Sequence, residues 1–228
     1  MKFTTFVVLL ILSAQSVADS LSESLRQVES EWGVIYYRTP KQKRADAYLR
    51  LIEKIDRLSG QYPNTAETLF WKGVLLATIA DHQNALAALD SIKEARDLLL
   101  KSIQLNPKAM EGSAYVTLGT LYYMVPKWPV SFGDNDEAKK MFETALTINP
   151  DGLDANYFFG DFLLATDQPD EAVRYLEKAA NIPARKEQWF ADNQLKTEAK
   201  IALLKAVKKR QNQNKDLVLS LFNAKHHK

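Results

Sequence analysis

The sequence predicts an all-α fold of antiparallel helix pairs, on three observations. A spacing recurs: Ala95, Leu99, Ser102 and Pro107 lie 4, 3 and 5 apart, Ala138, Phe142, Ala145 and Pro150 repeat those intervals, and Ala172, Leu176 and Ala179 repeat the first two, with Pro183 one residue early. Upstream of each block lies an apolar or aromatic run carrying a glycine: Leu69-Phe70-Trp71-Lys72-Gly73, Tyr115-Val116-Thr117-Leu118-Gly119 and Asn156-Tyr157-Phe158-Phe159-Gly160. Finally, 46% of the 228 residues are hydrophobic and 25% charged, with eight glycines and eight prolines, which suits a folded globular chain and excludes disorder, collagen-like repeats and a polytopic membrane protein.

The elements follow in order. Residues 1–18 read as a signal peptide cleaved after Ala18, because Lys2 precedes the apolar run 6–12 and Ser16-Val17-Ala18 puts small residues at the −3 and −1 positions. Seven apolar residues are far short of the roughly 20 that span a bilayer. The mature chain would begin at Asp19, with no cysteine there to carry a lipid, and the expected location is the periplasm. Residues 20–37 and 43–58 are amphipathic helical stretches. In the second, Leu51, Ile55, Leu58 and Pro63 echo the recurring spacing, so this pair reads as a degenerate repeat or cap.

Within each later block a small residue lets a neighbouring helix approach, a large apolar residue sits one turn on, and proline ends the segment because it cannot donate to a continuing helix. Glycine inside a helix costs about 0.5–1 kcal/mol relative to alanine, so its recurrence marks a close crossing. The interval from Gly160 to Ala172 is 12 residues, whereas Gly73 to Ala95 spans 22 and Gly119 to Ala138 spans 19, giving insertions of 10 and 7. The first, with Asn84-Ala85-Leu86-Ala87-Ala88-Leu89, reads as an extension of the second helix. The other, Val125-Pro126-Lys127-Trp128-Pro129-Val130-Ser131-Phe132-Gly133, cannot be helical and reads as a loop. Asn64 with Glu67 and Asp134 with Glu137 have capping-box spacing, and Pro169 fits a first helical position. Residues 190–209 read as a closing amphipathic helix with its charged side outward, ending a single helical domain over 19–210. Residues 211–228 form a basic tail.

The chain's 30 basic and 28 acidic residues become 29 and 28 once residues 1–18 are removed. That net of +1 argues against nucleic acid as a partner. Residues 196–228 hold nine basic residues against Glu198 and Asp216, a net of +7 that leaves −6 on residues 19–195. The basic stretch reads either as an arm that meets anionic lipid or an acidic partner, or as a solvated helix and frayed terminus.

With no cysteine and only three histidines, catalysis is hard to assemble, and the sequence predicts neither an enzyme nor a cofactor or metal site. His82 reads as a solvated polar residue near a helix end, and His226-His227 as an incidental weak metal site. Asp134-Asn135-Asp136-Glu137 lacks the glycine and distal glutamate of a calcium loop, and a helix cap already explains it.

The paired-helix blocks resemble tetratricopeptide repeats. The resemblance implies pairs stacked into a short right-handed superhelical solenoid with a concave face. In such arrays the second, fifth, ninth and twelfth positions of first helices line the groove, and setting each glycine as the eighth transfers them here. They become Glu67, Phe70, Val74 and Ala77; Ser113, Val116, Thr120 and Tyr123; and Asp154, Tyr157, Asp161 and Leu164. An acidic and aromatic groove results, suited to an extended peptide with basic or apolar residues or to an apolar small molecule. Phe70 and Tyr123 read equally as core. Trp128 and Phe132 either staple their loop onto the array or protrude as a lid or partner anchor.

Three stretches are similar to the T-component of tripartite ATP-independent periplasmic (TRAP) transporters over about residues 25–200. They are Gly112-Ser113-Ala114-Tyr115 with Leu118-Gly119-Thr120-Leu121-Tyr122-Tyr123, the loop from Val125 to Asp134, and Asn149-Pro150-Asp151-Gly152 leading to Asn156-Tyr157-Phe158-Phe159-Gly160-Asp161. This likeness implies a helical periplasmic protein that docks a solute-binding protein and passes a small apolar ligand. The chain departs from better-known members in having no lipidation cysteine and fewer repeats, which leaves membrane tethering indirect and the oligomeric state open. The function expected is a scaffold binding a partner protein or peptide in the groove, with a transporter accessory as the alternative.

Overall fold

Helices follow one another through the whole of the computed structural model, which describes the backbone of residues 3–226 and the side chains of residues 20–215. In order they are α1 (Phe3–Arg38), α2 (Lys41–Gln61), α3 (Ala66–Ile79), α4 (Ala85–Leu105), α5 (Ser113–Met124), α6 (Asn135–Ile148), α7 (Leu153–Ala165), α8 (Pro169–Asn181) and α9 (Trp189–His226). Among the described residues there is no strand, only an isolated bridge between Lys127 and Gly133. The all-α fold class is borne out. The side chains of the expected signal peptide and of His226 and His227 lie outside the described residues.

Two units divide the chain, residues 1–109 and 110–228; the sequence reading treats residues 19–210 as one domain. The first holds α1–α4, with α1 against α2, α2 against α3, and α3 against α4. The α3–α4 pair is antiparallel: the buried Ser102 hydroxyl near the end of α4 donates to the Ala66 carbonyl at the start of α3 (2.7 Å), and mid-helix Gly73 faces Ala95 and Leu99. Tyr48, Leu51, Ile55 and Leu58 form the buried stripe of α2, so the degenerate block packs as the spacing predicts. The insertion before Ala95 is helical, which makes α4 21 residues long.

The second unit pairs α5 with α6, α7 with α8, and α8 with α9. Its core gathers Ala138, Phe142 and Ala145 of α6, Phe159, Phe162 and Leu163 of α7, Ala172 and Leu176 of α8, and Ala202 and Ala206 of α9. Phe142 stacks with Phe159 at 5.7 Å between ring centroids. The unit begins with Met110, Glu111 and Gly112 all at positive φ (48°, 55° and 85°). The Glu111 carboxylate there accepts from Asn149 Nδ2 at 2.7 Å.

Each recurring glycine faces the large residue of the following block. A Cβ on Gly73 would stand 2.9 Å from Leu99 Cγ, one on Gly119 3.0 Å from the Phe142 ring, and one on Gly160 2.6 Å from Leu176 Cγ. The close crossings read from the spacing are therefore present in all three pairs. Caps divide more finely. Asp134 accepts from the backbone N–H groups of Asp136 and Glu137, while the Glu137 side chain turns to Lys140 and does not reach back. At α3 the capping box fails, because Asn64 sits at φ 55° and Thr65 holds the cap position with its hydroxyl donating to the Tyr62 carbonyl. Asn84 caps α4 instead, accepting from the Ala87 N–H at 3.1 Å.

Candidate functional site

In the second unit, α7 lies against both α5 and α9. The helices α5 and α7 run the same way, since Ser113 at the start of one meets Asp154 at the start of the other and Tyr123 meets Asp161 further along. The Ser113 hydroxyl donates to Asp154 Oδ2 at 2.7 Å and the Tyr123 hydroxyl to Asp161 Oδ2 at 2.6 Å. Tyr157, between the two aspartates on the same face of α7, hydrogen-bonds Glu198 of α9. Four of the sequence-expected groove residues, Tyr123, Asp154, Tyr157 and Asp161, are thus brought together as a half-buried row of hydroxyl–carboxylate pairs.

The row has a defined electrostatic character. Burial, with the Asp161 carboxylate second, pushes the Tyr123 phenol far above its ordinary range, so it stays a donor and fixes the orientation of Asp161. Desolvation raises the Glu198 carboxyl, the nearby Asp161 charge adds to that rise, and the Tyr157 hydrogen bond opposes it. Aromatic rings pack beside the row: the Tyr123 ring meets Phe162 edge-on at 5.7 Å and tilts against Phe142 at 6.4 Å. Carboxylates accept hydrogen bonds from ammonium, guanidinium or backbone N–H groups, and the faces of aromatic rings also favour cations. Among the described residues no group of acidic and histidine side chains is arranged to hold a metal ion.

Phe70 lies in the other unit, 5% exposed with its ring edge-on to Trp71, in the core position that the sequence left open for it. The 125–133 loop is ordered by its own backbone: Gly133 N–H donates to the Pro126 carbonyl, Val130 N–H to that of Lys127, and Asp134 N–H to that of Tyr122. Phe132 meets Tyr122 edge-on at 5.5 Å and staples the loop to its repeat, whereas Trp128 is 86% exposed. The two loop residues divide between the two roles considered for them. His82 is half-buried in a short 3-10 turn beside the Tyr48 ring.

Sequence reasoning missed Glu198, because α9 carries no glycine from which to count groove positions. The recurring alanines Ala199, Ala202 and Ala206, all buried, are the signal that could have set the register. It also missed Asp192, which is buried and receives the backbone N–H and guanidinium of Arg185, tying the entry of α9 to the loop before it.

Residues 130–191, which run from the Trp128 loop through α6, α7 and α8, match the tetratricopeptide repeat family. Among solved structures, the crystal structure of MamA is similar at 21% identity with a TM-score of 0.43, covering 76% of this chain and 95% of that one. A structure described as MamA MSR-1 C2 is similar at 19% identity with a TM-score of 0.40, covering 78% and 97%. A further crystal structure of MamA protein stands at 20% identity and 0.39, covering 85% and 96%. No curated protein matches the chain.

Proposed function

We propose that the protein is a non-enzymatic periplasmic scaffold that binds a partner protein or peptide along the α5–α7–α9 row. The observation that carries this reading is the alternation of fixed carboxylates with aromatic rings, Tyr123–Asp161 and Tyr157–Glu198, on parallel first helices of a repeat fold. Such a surface favours an extended segment that offers a lysine or arginine to Asp161 and Glu198 and an apolar side chain to Tyr157.

The test is titration of the protein with matched extended peptides that differ only in lysine against glutamate. The lysine peptide is expected to bind, and Asp161→Asn to weaken it about tenfold or more, consistent with a charged hydrogen bond of about 1.5–3 kcal/mol. Because burial raises the Glu198 carboxyl, it loses its proton at a higher pH than an ordinary glutamate. Affinity for the cationic peptide should therefore increase as pH rises through that higher range, and Glu198→Gln should flatten the dependence. Equal binding of both peptides at every pH would refute the reading. Cell fractionation tests the compartment.

The 125–133 loop favours a second reading, an accessory of a TRAP-type transporter, because it is held firmly while presenting Trp128 outward as a docking anchor. Co-purification of a solute-binding protein, lost on Trp128→Ala, would support it. Native mass spectrometry showing a retained apolar molecule would add the ligand role, whereas the absence of both results would exclude the loop as a binding element.

A further inference from the structure

The outward face of α9 lies apart from the α5–α7–α9 row and has its own chemistry. Lys200, Ile201, Leu204, Lys205 and Lys208 are exposed along it, with Ile201 at 50%, Leu204 at 71% and Trp189 at 64% at its margin. The acidic side chains of this part of the helix turn elsewhere: Glu198 bonds Tyr157 and Asp192 is buried with Arg185. Two other cations are already engaged, Lys209 with Asp167 at 2.8 Å and Arg210 with Asp170 at 4.0 Å. Among the described residues no carboxylate pairs with Lys200, Lys205 or Lys208. The face is thus basic and apolar, without an acid. The sequence beyond it is again mostly basic and apolar, with Lys215, Leu217-Val218-Leu219, Leu221-Phe222, Lys225 and Lys228 against the single acid Asp216.

We propose that this face of α9 docks on an anionic phospholipid surface, lying in the plane of the interface. Among the described residues no helix is long and apolar enough to cross a membrane, so the contact is peripheral. Lysines on both sides of Ile201 and Leu204 can extend their ammonium groups to lipid phosphates while the two apolar side chains enter the acyl boundary. A protein partner fits less well: two apolar side chains separated by flexible lysines fall far short of the roughly 800 Å² per partner of a stable interface, and lysine is depleted from such interfaces. The proposal departs from the sequence expectation of indirect membrane association. It is independent of the peptide-binding reading, since none of its residues belongs to the α5–α7–α9 row.

The experiment is co-sedimentation of the full chain with vesicles of phosphatidylcholine alone and with about a third phosphatidylglycerol. Binding to the anionic vesicles only, weakening with salt, is expected. Each lysine near the surface is worth about 1 kcal/mol, so Lys200→Glu with Lys205→Glu and Lys208→Glu should lower vesicle affinity about a hundredfold or more. Ile201→Ser with Leu204→Ser should lower it less, with unchanged thermal unfolding because both side chains are already in solvent. Trp128→Phe should leave it unchanged, which separates this face from the exposed loop. The proposal is overturned by absent binding, by equal binding to neutral vesicles, by insensitivity to the triple charge reversal, or by retention on an acidic protein without retention on vesicles.

Discussion

One half-buried and one fully buried tyrosine respond differently to the same substitution. Tyr123 donates a 2.6 Å hydrogen bond to Asp161, and its removal would leave a half-buried carboxylate short of a donor. Tyr48 is fully buried and its hydroxyl meets no hydrogen-bond partner. Leaving a charged group unsatisfied costs more than a hydrogen bond contributes when both partners are paired, whereas deleting a lone buried hydroxyl removes a desolvation penalty. Tyr123→Phe should therefore lower unfolding free energy by about 1.5–3 kcal/mol, and Tyr48→Phe should leave it unchanged or raise it by about 1 kcal/mol. Urea denaturation of the two variants checks the contrast, and equal losses would show that the Tyr48 hydroxyl is as well satisfied as that of Tyr123. Sequence alone could not separate them, because each is an aromatic at helical spacing and only the partner distinguishes core from site.

At the scale of the helix pair the decisive contact is glycine beneath a large apolar residue one helix away. This was legible because both halves leave a sequence trace, the glycine in one helix and the regular spacing around Leu99, Phe142 or Leu176 in the next. The contrast between Gly160 and Gly60 tests it. Alanine is favoured over glycine in a helix by about 1 kcal/mol, and at Gly60, within α2, a Cβ would meet nothing within 4 Å. At Gly160 it would stand 2.6 Å from Leu176 Cγ and 3.2 Å from the Leu176 backbone nitrogen, and such overpacking costs about 1–3 kcal/mol. Gly60→Ala should raise the thermal midpoint and Gly160→Ala should lower it; a rise in both would mean that the α7–α8 crossing is not tight. Capping was less legible. The Asn64 and Glu67 spacing is correct, but the chain takes a left-handed turn at Asn64 and hands the cap to Thr65; asparagine suits both a cap and a left-handed turn, so residue type does not choose between them.

Across the whole chain, the order of the helices between the ends could be read, although α9 runs to His226 where the sequence suggests a helix over 190–209 and then a tail; the site could be read only where a glycine fixed the register. Asp154, Tyr157 and Asp161 were found by counting from Gly160; Glu198, on a helix without glycine, came from packing alone. The same packing bears on the N-terminus. Every buried residue of the described part of α1 lies at or beyond Leu25: Leu25, Val28, Gly33 and Ile35. The polar ties of α1 to other helices involve Ser20, which accepts from the Tyr62 hydroxyl at 3.5 Å, Glu31, paired to Lys54 at 2.7 Å, and Trp32, whose Nε1 donates to the Thr78 hydroxyl at 3.2 Å. A chain starting at Asp19 therefore keeps the described core of the first unit. If residues 1–18 are an export signal, intact-mass measurement of the exported protein should give a product beginning at Asp19. Its urea midpoint should match that of the full chain to within the roughly 0.5 kcal/mol typical of changes away from the core. A product retaining residues 1–18 would refute the cleavage. A loss of more than about 2 kcal/mol on their removal would show instead that the segment before Asp19 packs into the first unit as part of its core.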